Sequence, residues 1–118
     1  MNDEFGAIAE QLRRFAAERD WEQFHSPKNL AMAMTVEAAE LLEHFQWLTE
    51  EQSKSLPPDK RARVAEEIAD IQAYLIRIAD KLGIDILDSV RAKIRLNAVK
   101  YPADKVRGDA RKYNEYRD

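Results

Sequence analysis

The chain has 118 residues, of which 45% are hydrophobic and 35% charged, and its formal net charge is −3. This length suits one domain and is too short for two. The acidic balance disfavours a nucleic-acid-binding protein, which normally has a basic surplus. Cysteine is absent from the sequence, which excludes disulfides, thiolate metal sites and cysteine nucleophiles.

The first ten residues carry acidic groups and no apolar run, so they do not have the pattern of a signal peptide. No stretch approaches the ~20 apolar residues that span a bilayer. These features predict a cytoplasmic protein without a membrane partner.

Helix-forming residues dominate and alternating apolar runs are absent, which predicts an all-α protein. The first helix is predicted over 3–20, and a loop follows over 21–25. Ser26 as N-cap and Pro27 at the first helical position open a second helix, which is predicted to continue to about Trp47. Thr49 begins a capping box and a short extra turn.

The third helix carries an apolar stripe with steps of three and four residues, and this stripe is predicted to be buried. Its members are Val64, Ile68, Ile71, Leu75, Ile78 and Leu82. Gly83 ends this helix, and Asp85 caps a fourth helix that stops near Tyr101. The elements predict one four-helix domain over 1–102, completed by oligomerisation, and a polar C-terminal tail over 103–118.

Two pairs of acids have the same three-residue spacing, which places each pair on one helix face. Glu37 and Glu40 form the first pair, and Glu67 and Asp70 form the second beside the apolar stripe. Four carboxylates in one groove would repel each other unless a cation neutralised them. Oxygen donors favour Mg²⁺ or Mn²⁺ over zinc, and the Glu-x-x-His pairs of a di-iron bundle are missing. A solvated acidic face has the same spacing, so both interpretations stay open on geometry alone.

Aromatic residues are predicted to lie near these acids. Trp47 is seven residues beyond Glu40, on the same predicted helix face, and Tyr74 is four beyond Asp70. Trp21 and the nearby His25 precede the second helix, whereas the other histidine, His44, is expected at the surface. Planar side chains beside a cation suit base stacking, but they equally suit plugs at the ends of a bundle.

Basic and amide groups share one face of the fourth helix, where they suit phosphate oxygens or a plain solvated face. They are Lys93, Asn97 and Lys100.

With these residues the sequence resembles the MazG-like all-α nucleotide pyrophosphohydrolases, whose pattern is Glu-x-x-Glu followed by Glu-x-x-Asp. The pattern appears here as Glu37-Ala-Ala-Glu40 and Glu67-Ile-Ala-Asp70, with 26 residues between the pairs. Four longer stretches resemble the dCTP pyrophosphatase branch of the family. They cover 37–47, 66–85, 93–102 and 110–114.

The resemblance implies a MazG-like bundle in which the four acids bind Mg²⁺, with Mn²⁺ as a substitute. It also implies that Glu37 or Glu40 acts on a water that attacks the α-phosphate and releases pyrophosphate. The resemblance implies a base and sugar pocket formed by Trp21, His25, Trp47 and Tyr74. It implies phosphate contacts from Lys93 and Asn97. Four further residues are implied to reach the triphosphate in a neighbouring subunit's site: Lys100, Tyr101, Arg111 and Lys112.

The implied substrate is a nucleoside triphosphate, dCTP or a modified dCTP, and the implied role is house-cleaning of the nucleotide pool by a homodimer or homotetramer. Two alternatives remain. A related pyrophosphohydrolase could act on dUTP or phosphoribosyl-ATP, and a helical interaction module could carry the acids as surface charge only.

Overall fold

A computed structural model describes residues 3–109 of the chain. The helices are α1 (Asp3–Glu18), α2 (Pro27–Glu43), α3 (Glu50–Ser53), α4 (Pro58–Leu82), α5 (Ile86–Lys100) and α6 (Ala103–Val106), with a 3₁₀ turn over Glu22–Phe24. No strand occurs within this described range, so the predicted all-α class is confirmed. The chain divides into two compact units between Ile84 and Asp85.

In the first unit α4 is the central helix, because α2 packs along it and α1 contacts it as well. Few side chains are buried there, and the apolar ones are Ala16, Leu30, Val64, Ile76 and Ala79. The packing of α2 on α4 brings together the two helices that carry the acidic pairs.

The helix ends confirm the predicted capping residues. The Ser26 hydroxyl accepts a hydrogen bond from the Asn29 backbone N–H at 3.1 Å, and Thr49 forms a complete capping box with Gln52. The Asp85 carboxylate caps α5. Gly83 ends α4 with φ 67°, a left-handed conformation that an L side chain rarely adopts.

The second helix is shorter than predicted. It ends at Glu43, and the following turns replace the regular helical ladder. The Phe45 N–H donates to the Leu42 carbonyl and the Leu48 N–H donates to the Phe45 carbonyl, both three residues back. The prediction that Trp47 continues the helix face of Glu40 is therefore wrong.

The apolar stripe of α4 is less buried than predicted. Val64 is buried, but Ile68 and Leu82 are 54% and 55% exposed, so the prediction of a continuously buried stripe is wrong. The helix buries Ile76, Arg77 and Ala79 as well. The reason is that α1 and α2 cover only part of the α4 surface, and periodicity shows that a helix has an apolar face without showing what covers it.

The second unit contains α5 and α6. None of the described residues of α5 is buried, and α6 falls within the segment predicted as a polar tail. The boundary predicted at residue 102 stays a prediction. Among the described helices, none is long and apolar enough to cross a membrane.

Candidate active site

Three of the four predicted acids converge between α2 and α4. Glu37 on α2 and Glu67 and Asp70 on α4 each offer a carboxylate oxygen, and these three oxygens lie within 4.8 Å of one another. The spacing of three residues places Glu67 and Asp70 side by side on α4. The packing of α2 on α4 supplies Glu37 from the opposite side.

Two oxygens of this cluster are buried and have no hydrogen-bond partner: Oε2 of Glu37 and Oε2 of Glu67. A buried, unpaired carboxylate oxygen is costly, and a bound cation is one of the few groups that offset this cost. Asp70 is exposed, so the cluster is open to solvent on that side. The residues present therefore fit a hard divalent cation that keeps part of its coordination for water and substrate.

The pKa of Glu37 is raised to about 7, first by burial. The carboxyl groups of Glu67 and Glu40 lie close enough to share a hydrogen-bonded proton with Glu37, which raises its pKa further. The negative charges of Glu40 and Asp70 also raise it. Repulsion of this kind is what a bound dication would relieve.

Glu40, the fourth predicted acid, lies outside the group of three oxygens, although its carboxyl group interacts with Glu37. His44 is half-buried, and its Nε2 lies 3.9 Å from Oε1 of Glu67. The expectation that His44 is a surface residue is therefore wrong, because His44 keeps helical backbone angles at the C-cap of α2 and so lies on the same face as Glu37 and Glu40, towards α4.

A cavity of about 220 Å³ adjoins the acidic cluster on the Asp70 side. Its lining residues are Leu12, Phe15, Ala16, Trp21, His25, Asp70, Ala73, Tyr74 and Arg77. Three residues predicted for the base pocket, Trp21, His25 and Tyr74, thus share one cavity with an acid of the cluster. Burial, and then the charges of Glu37 and Asp70, raise the pKa of Tyr74, which lies close to both carboxylates.

The aromatic wall of the cavity depends on the turn between α1 and α2. Asp20 adopts φ 55° and reverses the chain after α1, and the Trp21 N–H donates to the Ala16 carbonyl at 2.9 Å. The Trp21 ring packs edge-on against Phe15 with centroids 5.7 Å apart. It also lies 6.0 Å from the His25 ring. The face of the Trp21 ring offers a planar surface on which a base can stack.

Arg77 lines the cavity and is only 4% exposed, although residue spacing did not predict it as a site residue. The signal was present, since Asp70, Tyr74 and Arg77 step by four and three along α4 and must share a face. A long cationic side chain beside an apolar stripe is normally solvated, so nothing in the sequence pattern indicated that Arg77 is buried.

The remaining predicted residues lie elsewhere. Trp47 does not line the cavity and is 86% exposed on the turn after α2. Lys93, Asn97, Lys100 and Tyr101 belong to the second unit, at α5 and its C-cap. Arg111 and Lys112 lie outside the described residues.

A sequence profile of the MazG-like family matches residues 32–116, and the chain belongs to this family. The match includes both acidic pairs, and the predicted family is confirmed.

Among curated proteins, the chain is 43% identical to dCTP pyrophosphatase 1 of Mus musculus and 42% identical to that of Homo sapiens, in each case over 112 residues. These alignments cover 90% of this chain and 66% of each relative. The fold is similar to the crystal structure of a pyrophosphatase from Archaeoglobus fulgidus, with a TM-score of 0.78 and 37% identity. That match covers 82% of this chain and 91% of the archaeal chain.

Proposed function

We propose that this protein hydrolyses dCTP, or a base-modified dCTP, to the monophosphate and pyrophosphate with the help of a divalent cation. The observation that carries the proposal is the convergence of Glu37, Glu67 and Asp70 beside a cavity with aromatic walls. The named activity of its dCTP pyrophosphatase relatives supports the choice of reaction and base.

The cation would be held by Glu37, Glu67 and Asp70, with Glu40 as the fourth acid, and Mg²⁺ is the proposed ion with Mn²⁺ as a substitute. Carboxylate oxygens are the ligands that both ions prefer. When bound, such an ion neutralises phosphate charge and makes a water molecule easier to deprotonate.

The reaction is an attack by water on the α-phosphate of the nucleotide. The water oxygen bonds to the α-phosphorus, the bond to the α–β bridging oxygen breaks, and pyrophosphate leaves with that oxygen. We assign the acceptance of the water's proton to the carboxylate of Glu37 or Glu40. A carboxylate oxygen that the cation does not occupy can orient this water and accept its proton.

The cavity is the proposed site for the base, with the ring of Trp21 and the side chains of His25 and Tyr74 around it. Burial lowers the pKa of His25, and the charge of Arg77 lowers it further, so its imidazole is neutral at pH 7. A neutral imidazole can donate from one nitrogen and accept at the other, which suits the edge of a base.

Contacts with the triphosphate are assigned to basic and polar side chains of the C-terminal part of the chain, the last four of which would reach a neighbouring subunit's site. Lys93 and Asn97 are exposed on one face of α5, and Lys100 and Tyr101 follow at its end. Arg111 and Lys112 are proposed as further triphosphate contacts on the basis of the sequence alone.

Product analysis tests the proposed reaction. The purified protein is incubated with each common dNTP, 5-methyl-dCTP and dUTP, in Mg²⁺ or in EDTA, and the products are separated by chromatography. Monophosphate and pyrophosphate that form only with Mg²⁺, fastest from dCTP or 5-methyl-dCTP, are the expected result. A preference for dUTP would correct the base, and no turnover of any nucleotide would favour the interaction module.

Trp47 does not line the cavity, and its proposed contact with the base rests on the family resemblance alone. If the ring stacks on the base, Trp47→Ala should raise KM for dCTP about tenfold with little change in kcat, since such stacking contributes about 1–3 kcal/mol. The high exposure of the ring means that the fold should be unaffected. Steady-state kinetics measure both constants, and Trp47→Phe, which keeps an aromatic face, is the matched control. An unchanged KM in the alanine variant would show that Trp47 does not contact the base.

We propose that the active form is a homodimer or a homotetramer. Exposed apolar side chains on α2 and α4 support this, because a monomer rarely leaves so many large ones in water. They include Val36, Leu42, Ile68, Leu75 and Leu82. Light scattering after size-exclusion chromatography should give two or four times the 13.7 kDa chain mass, whereas a mass of one chain would contradict the proposal.

A further inference from the structure

Arg77 is a permanent cation that is almost fully buried in the central helix, with 4% of its surface exposed. Arg77 lines the cavity together with Tyr74, which precedes it by three residues on the same helix. A buried guanidinium must be paired, because removing a charge from water costs several kcal/mol. The partners of Arg77 therefore show what its burial achieves.

The first partner is Glu22, which lies 55 positions earlier in the sequence. Nη2 of Arg77 donates to Oε1 of Glu22, and Nζ of Lys81 donates to Oε2 of the same carboxylate. Both cations are on α4, whereas Glu22 begins the 3₁₀ turn that connects α1 to α2. The hydrogen bond to Lys81 and the charge of Arg77 lower the pKa of Glu22, which is consistent with a carboxylate held in its charged form.

The second partner is Asp80, whose Oδ2 lies 3.4 Å from Nη1 of Arg77. Asp80 also accepts from Arg13 on α1, at 3.0 Å from Nε and 2.7 Å from Nη2. The network thus joins α1, the turn and α4, and Arg77 is its buried member.

The hydrogen bonds that join the turn to α4 are those of Glu22. The other hydrogen bonds described for the turn stay within residues 16–29, such as Trp21 N–H to the Ala16 carbonyl at 2.9 Å and Asn29 Nδ2 to the Phe24 carbonyl at 3.0 Å. The side chain of Phe24 is 58% exposed and contributes little burial. Glu22 follows Trp21 directly and comes three residues before His25, so a clamp on Glu22 also fixes where these two cavity-lining side chains lie.

We propose that Arg77 is a positioning residue for base selection, which clamps Glu22 and thereby fixes the Trp21–His25 wall of the base cavity. This inference rests on the proposed function. A purely stabilising role is the weaker explanation, because replacing a buried ion pair with apolar groups often leaves stability unchanged or increases it. The bond from Arg77 to Glu22, by contrast, joins α4 to the turn that carries the cavity wall.

The test uses Arg77→Met, which removes the charge while keeping a long side chain, and Glu22→Gln, which breaks the same clamp from its half-exposed end. Both are expected to raise KM for dCTP about tenfold, to leave kcat within about twofold, and to reduce the preference for dCTP over dTTP. Arg77→Lys should be intermediate because it keeps the charge but loses the forked donor geometry. Arg14→Gln, which loses an exposed ion pair within α1, is the matched control and should match the wild type.

The position of the Trp21–His25 wall can also be measured without substrate turnover, through the fluorescence of Trp21. In a Trp47→Phe background Trp21 is the single tryptophan of the chain. Collisional quenching of its fluorescence by acrylamide should increase when Arg77→Met or Glu22→Gln is added, with the far-ultraviolet circular dichroism unchanged. If Arg77→Met does not fold, Glu22→Gln decides the result alone.

Folded variants with unchanged KM, base preference and Trp21 quenching would overturn the role of Arg77, and so would an equal fall of kcat for every nucleotide. If the wild-type protein turns over no nucleotide, the proposed function fails separately. The quenching experiment then decides whether Arg77 holds the wall.

Discussion

Asp70→Asn is expected to reduce kcat by about a thousandfold or more while leaving the helices intact. The substitution keeps the shape of the side chain but removes a negative oxygen from the cluster that Asp70 forms with Glu37 and Glu67. An amide oxygen binds a hard dication much more weakly than a carboxylate does. Since Asp70 is exposed, no core contact is lost.

The measurement is kcat at saturating dCTP and Mg²⁺, with the melting temperature followed as Mg²⁺ is added. Mg²⁺ should raise the melting temperature of the wild type and do so far less for the variant. Glu66→Gln, an equal change of charge at an exposed position of the same helix, is the control and should keep wild-type values. Wild-type turnover by Asp70→Asn would show that the proposed metal site is misassigned.

The metal-free protein is expected to lose stability as the pH rises from about 4.5 to about 7, owing to Glu37. Its pKa in the folded state is about 7, above the ordinary value of 4.5. Between these values the folded state holds a proton that the unfolded state has released, so raising the pH favours unfolding. Above about pH 7 both states are deprotonated and the loss is complete.

Urea denaturation in EDTA at pH 5 and pH 8 measures this loss, and the comparison with Glu37→Gln isolates it. The comparison is needed because His25 acts in the opposite direction. Its pKa is lowered on folding, so as the pH falls the unfolded state binds a proton that the folded state does not, and the free energy of unfolding decreases. Glu37→Gln should remove most of the loss, whereas Glu43→Gln, at an exposed position of α2, should not. Equal behaviour of wild type and Glu37→Gln would contradict the prediction.

Mg²⁺ should reverse the effect at pH 8, because it replaces the proton as the group that neutralises the cluster. Glu22 and Asp80 do not interfere in this range. Ion pairing lowers the pKa of each, chiefly through hydrogen bonds from Lys81 and Arg13 respectively. Their contributions are present above their unfolded pKa values and are lost only as the pH falls below about 4.

The helix termini could be predicted from the sequence where they depend on local hydrogen bonds. Ser26, Thr49 and Asp85 each cap the helix that follows, since the bond joins residues three apart. The end of α2 was mispredicted because the residues up to Trp47 are compatible with helix. Nothing in their local pattern requires the tighter turns after Glu43.

The candidate site likewise has features that the sequence predicts and features that only helix packing decides. The sequence by itself determined the helical class and the two acidic pairs, because the spacing of residues on one helix is fixed by its 3.6-residue turn. It also determined the family, through the resemblance of its motif and longer stretches. Tertiary structure alone decided that Glu37 meets Glu67 and Asp70, that the α4 stripe is only partly covered, and that Arg77 is buried against Glu22. These three results depend on how separate helices pack, and side-chain periodicity within one helix does not specify its neighbour.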